Sequence, residues 1–141
     1  MKNNKWYVIS TFVLGCIVIN FAGRILSDRL QLPLWLDSFG TVTAAYVLGP
    51  FCAAMVGMTV NLTYGILYSW TNMFYAVVSA MVGITTGICV KKGFLKNLYG
   101  VLSTSFLVAV LSVTLSVPLN YLYCDGSTQN IWGDGVIESM E

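Results

Sequence analysis

The sequence predicts an all-α fold, a polytopic membrane helix bundle forming a single transmembrane domain over residues 1–141. Three observations carry this. Hydrophobic residues make up 57% of the chain and charged residues 9%, whereas a soluble domain carries about 25% charge. Three stretches, 6–23, 38–90 and 97–124, contain no charged residue. All the lysines fall into two clusters, Lys2 with Lys5 and Lys91 with Lys92 and Lys96, as expected where basic residues set membrane orientation.

The elements follow in order. A span needs about 20 apolar residues, so 6–23 supplies the first helix. The run 38–90 would measure about 80 Å as one helix, against a hydrocarbon core of about 30 Å, so it must fold back. Gly49-Pro50 is a helix stop followed by a proline suited to a first helical turn. Ser69-Trp70-Thr71-Asn72 is polar and turn-like. Helices are therefore expected near 34–48, 50–68 and 73–90. The run 97–124 supplies the fifth, about 98–122, with Pro118 near its end.

Five spans place both lysine clusters on one side. The positive-inside rule makes that side cytoplasmic, with the N-terminus cytoplasmic in a multi-pass membrane protein. Arg24, Asp28, Arg29, Asp37 and Asp125 then face outward. Residues 131–141 begin a helical pattern that stops at Glu141, so either the C-terminus is external or a sixth span lies beyond it, and the second is the expectation.

Composition also excludes. Histidine is absent, which removes the commonest general base and metal ligand. No Ser-His-Asp set, phosphate loop or GxGxxG occurs, so enzyme activity is not expected, and no cofactor is implied. Cys16, Cys52, Cys89 and Cys124 lack CxxC spacing and imply neither a metal site nor a disulfide framework. No basic patch with interleaved aromatics suits nucleic acid.

The candidate functional residues gather on the outer side. Trp35, Phe39, Tyr64, Tyr68, Trp70, Phe74, Tyr75, Tyr121, Tyr123 and Trp132 fall at that level, either as an interfacial belt or as walls stacking on a flat ligand. Asn61 and Asn120 are amides within or near the hydrocarbon and need partners, from another helix or from a ligand. Arg24, Asp28 and Arg29 fall in the loop expected after the first span, either as a solvated i,i+4 pair or as a lid offering Arg to an anionic group. Small residues recur four apart: Thr11 and Gly15, Gly40 and Ala44, Ala53 and Gly57, and Ser79, Gly83 and Gly87. Such faces let helix backbones approach, within the chain or against a partner subunit.

The stretch "LDSFGTVTAAYVLGPFCAAMVGMTVNLTYGIL", with its Leu-Gly-Pro turn between an apolar and a small-residue helix, resembles the second and third helices of S components. These are the substrate-binding subunits of energy-coupling-factor (ECF) vitamin transporters. The basic loop "KKGFLK" and the outer loop "CDGSTQNIWGD" fit the same layout. The resemblance implies a six-helix bundle with both termini cytoplasmic, and a vitamin-like small molecule bound near the outer face. Onto this chain it maps Arg24 and Asp37, then Tyr64, Trp70 and Asn72, then Asn120, Asp125, Asn130 and Trp132, beside Asn61 from the residue reading. It further implies a transmembrane coupling subunit and two cytoplasmic ATPase subunits as partners, docked through small-residue faces on helices one and three, here Thr11, Gly15, Ala53 and Gly57. The competing expectation is a membrane-embedded sensory input domain of a larger signalling protein.

Overall fold

A computed structural model describes residues 3–30, 36–124, 134–135 and 138–139. The described residues form an all-α bundle of five helices: α1 (Asn3–Leu30), α2 (Phe39–Val47), α3 (Pro50–Leu67), α4 (Tyr75–Lys91) and α5 (Leu98–Tyr123). Short 3-10 turns at Leu36–Ser38, Trp70–Met73 and Phe94–Lys96 lead into α2, α4 and α5. Among the described residues, four stretches are long and apolar enough to cross a membrane: Lys5–Leu30, Pro50–Leu67, Trp70–Lys91 and Leu98–Tyr123.

α3 and α5 match the expected boundaries within a residue or two. α1 does not stop at residue 23. It continues to Leu30, so Arg24, Asp28 and Arg29 are helical and the expected loop begins later. Two contacts hold the extra turns: an Arg24–Asp28 pair at 3.6 Å one turn apart, and cross-helix bonds from Arg24. α2 is also shorter than the expected 34–48. With its 3-10 lead-in it extends about 20 Å, at about 1.5 and 2.0 Å per residue, which is less than the hydrocarbon thickness of about 30 Å.

α2 runs antiparallel to α1, with Leu36 against Gly23 and Gly40 against Cys16. Gly49 then turns the chain at φ 92° and ψ −178°, a conformation essentially confined to glycine. Pro50 starts α3 at a position where its missing N–H costs nothing. α3 and α4 pair antiparallel through glycines. A Cβ on Gly83 would sit 2.7 Å from the Ala53 carbonyl carbon, and one on Gly57 would sit 2.9 Å from the Ser79 carbonyl oxygen. The core is accordingly built of small side chains: Cys16, Ala44, Ala45, Ala53 and Val56, with Phe12, Val13 and Ile17 packed against it. Hydrocarbon solvates apolar surface as well as a protein core does, so close backbone packing and hydrogen bonds, rather than burial of bulky residues, hold such helices together.

α5 is peripheral. Thr104 is its one buried residue, and it packs on α4 and on the Phe94–Lys96 turn. At one end Tyr123 stacks on Phe74 with ring centroids 3.9 Å apart. At the other end lie Gly49, Pro50, Gly87 and Lys91, where the Lys91 side chain would lie 3.6 Å from a Cβ on Gly49. The bundle thus has a lysine end and a polar-aromatic end.

Candidate functional site

The polar-aromatic end is organised by Arg24. The direction of α1 aims this side chain inward, and the residue is 9% exposed. One guanidinium nitrogen donates to Asp37 Oδ2 at 3.3 Å, and another donates to Asn72 Oδ1 at 2.8 Å. The Tyr64 ring lies under the guanidinium carbon, 4.8 Å from its centroid, close enough for cation–π attraction. The Tyr64 hydroxyl donates to Asp28. One cation therefore joins α1, the turn before α2, the end of α3 and the turn before α4.

A charge in this position is expensive unless paired and fully hydrogen-bonded, and the local sequence meets that demand. The turn at Trp70–Met73 keeps Asn72 buried, with its amide also donating to the Ser69 carbonyl at 3.4 Å. Ser69 and Thr71 bond each other through their hydroxyls at 2.7 Å. The Asp37 side chain is as enclosed as that of Arg24, while that of Asp28 is 47% exposed. With one guanidinium and two carboxylates, Arg24, Asp28 and Asp37 together carry a net negative charge.

Aromatic rings surround this cluster. Phe21 meets Tyr64 edge-on at 5.9 Å, and Tyr64 stacks on Tyr68 at 4.6 Å. The Trp70 ring contacts Phe74 edge-on at 5.6 Å and is largely exposed, as an interfacial belt residue would be.

Of the sequence-predicted residues, Arg24, Asp37, Tyr64 and Asn72 come together. Asn61 does not join them. It is buried in the α3–α4 seam, donating to Ser79 Oγ at 2.6 Å and to the Gly57 carbonyl at 3.3 Å. Asn120 lies on α5 near the same end as the cluster, its side-chain oxygen buried with no hydrogen-bond partner among the described residues. Asp125, Asn130, Trp132 and Trp35 lie outside the described residues. Ala53 and Gly57 are buried against α4, and Thr11 and Gly15 face outward, with open space where a Cβ on Gly15 would be. All four cysteines are free thiols.

Asn20 escaped the sequence reading. It is fully buried, and its amide nitrogen donates to Thr41 Oγ1 at 2.8 Å. Its carbonyl oxygen accepts the backbone N–H of Gly40 at 2.5 Å. Ser38 at the helix boundary makes no side-chain cap. α1 therefore caps the start of α2 from outside the segment, satisfying an amide that the first turn leaves open. Gly40 permits this approach, since a Cβ there would sit 2.8 Å from Asn20 Oδ1. The available signal was an amide in the charge-free run 6–23, of the same kind as Asn61 and Asn120.

No family model, no curated protein and no solved structure matches this chain.

Proposed function

We propose that this chain is a substrate-capture subunit of the bacterial plasma membrane, of the S-component type, which binds a vitamin-like small molecule at its polar-aromatic end for uptake driven by a coupling subunit and ATPases. The observation that carries the reading is the Arg24 cluster. Burying a guanidinium among groups from four elements is costly, and buried ionisable residues of membrane helices commonly mark binding sites. Asp28 is the accessible edge of the cluster, and the excess of carboxylate over guanidinium favours a ligand presenting donors or positive charge. The neighbouring Tyr64 and Tyr68 rings suit a planar heterocycle. In this reading the lysine end is cytoplasmic, and the open Thr11–Gly15 face receives the coupling subunit.

The test is equilibrium binding of the purified full chain to a panel of vitamins and their precursors, read by tryptophan fluorescence. One compound is expected to bind, with Asp28→Asn weakening it about tenfold, the loss of one charged hydrogen bond of about 1.5 kcal/mol. Trp70→Ala is expected to reduce the quenching more than the affinity. Folded protein that binds none of the panel removes the proposal. Gly15→Leu should abolish co-purification of a coupling subunit while leaving ligand affinity unchanged.

The peripheral packing of α5 favours a second reading, a sensory input domain in which ligand shifts that helix. A ligand-dependent change in α4–α5 distance by paired spin labels, with no coupling subunit recovered, would select it.

A further inference from the structure

A second site lies at the opposite end of the molecule. Toward the lysine end, residues of α4, α5 and the turn between them line a cleft of about 370 Å³. Its walls include Ile88, Cys89, Leu107 and Leu111, with Phe94 and Lys92 toward the connecting turn. The wall hydroxyl of Thr104 donates to the Gly100 carbonyl at 2.7 Å and so is already engaged within its own helix. Thr85 and Ser103 also line the cleft, which combines a mainly apolar interior with a cation at one end.

Two further lysines lie near this end among the described residues. Lys91 reaches toward Gly49, and Lys96 folds toward Gly93. Asp28 and Asp37 sit at the far end with Arg24. From this geometry we infer that the α4–α5 cleft binds an anionic phospholipid, one acyl chain lying between the helices and the phosphate meeting Lys92. This rests on the membrane setting of the helices and not on the proposed ligand at the Arg24 end.

One physical point favours an anionic lipid. A lone cation bordering an apolar wall at a bundle's end matches the layout of a headgroup with its tail, and basic pockets between membrane helices commonly take anionic headgroups.

The experiment is native mass spectrometry of the full chain released from bilayers of phosphatidylglycerol mixed equally with phosphatidylcholine. Retained phosphatidylglycerol is expected to exceed phosphatidylcholine about fivefold, from about 1 kcal/mol per basic residue near the headgroup. Lys92→Gln should remove that preference. Lys5→Gln removes a charge from the lysine end outside the cleft and should leave it intact. Leu107→Trp should block retention by filling the cleft. As a readout needing no variant, alkylation of Cys89 relative to Cys52 should fall in phosphatidylglycerol vesicles compared with phosphatidylcholine vesicles. Equal retention of the two lipids, an equal effect of Lys5→Gln and Lys92→Gln, or an unchanged Cys89 to Cys52 ratio would each overturn the inference.

Discussion

Replacing Asn20 by leucine tests how α2 is held. The substitution keeps the branched outline of the side chain, with bulkier methyl groups in place of the amide, and removes two hydrogen bonds, one to Thr41 at 2.8 Å and one from the Gly40 amide at 2.5 Å. The residue is fully buried, so water cannot replace either bond. An orphaned buried donor costs about 1–3 kcal/mol. An interhelical side-chain bond in a membrane protein averages about 0.6 kcal/mol and reaches about 1.7. The expected loss is therefore about 2–4 kcal/mol. The assay is reversible unfolding of the full chain in mixed detergent micelles, followed by circular dichroism. Hydrogen exchange should show the Gly40 amide losing protection first. In the double variant Asn20→Leu with Thr41→Val, the two costs should fall short of their sum by about 0.6–1.7 kcal/mol, because the Asn20–Thr41 bond can be lost only once. A loss under about 0.5 kcal/mol, the range of an ordinary surface change, or strict additivity in the double variant, would refute the capping argument.

Three other outcomes follow from the same contacts. Arg24→Gln leaves Asp37 enclosed without its cation and should cost about 3–5 kcal/mol, whereas Asp28→Asn at a half-exposed carboxylate should cost about 1 kcal/mol or less; both are read as unfolding midpoints. Gly83→Ala presses a methyl group into the α3 backbone near Ala53 and should cost about 1–3 kcal/mol, while Gly15→Ala, facing open space, should be neutral or stabilising by up to about 1 kcal/mol. Gly49→Ala must hold a positive φ of 92° and should cost about 1–3 kcal/mol, with proteolytic nicking at the α2–α3 turn as a local readout.

What the sequence determined by itself was set by length, charge and local backbone chemistry. Apolar runs of that extent require helices, since lipid leaves no partner for an open backbone. The long run had to break, because it exceeds the hydrocarbon core about 2.7-fold, and a turn is found at Gly49-Pro50. Lys91 lies at the end where Gly49 turns the chain. Arg24, Asp37, Tyr64 and Asn72 were expected at one end as part of the wider set that the resemblance maps, and these four come together.

Tertiary structure alone decided which face of each helix meets which neighbour. In water an apolar stripe reveals the buried face of a helix. Here the lipid-facing side is as apolar as the packed side, so that signal is silent. Asn61 was expected to bond a neighbouring helix, with a ligand as the alternative, and only the rotation of α3 against α4 gave it to Ser79. Asn20 and Gly40 are 20 residues apart, and no local rule joins them. The same rotation places Ala53 and Gly57 inside the bundle and leaves Thr11 and Gly15 outside it. Backbone length and charge set the helices and their ends; side-chain registry between neighbours, a non-local quantity, made the Arg24 cluster and the α4–α5 cleft.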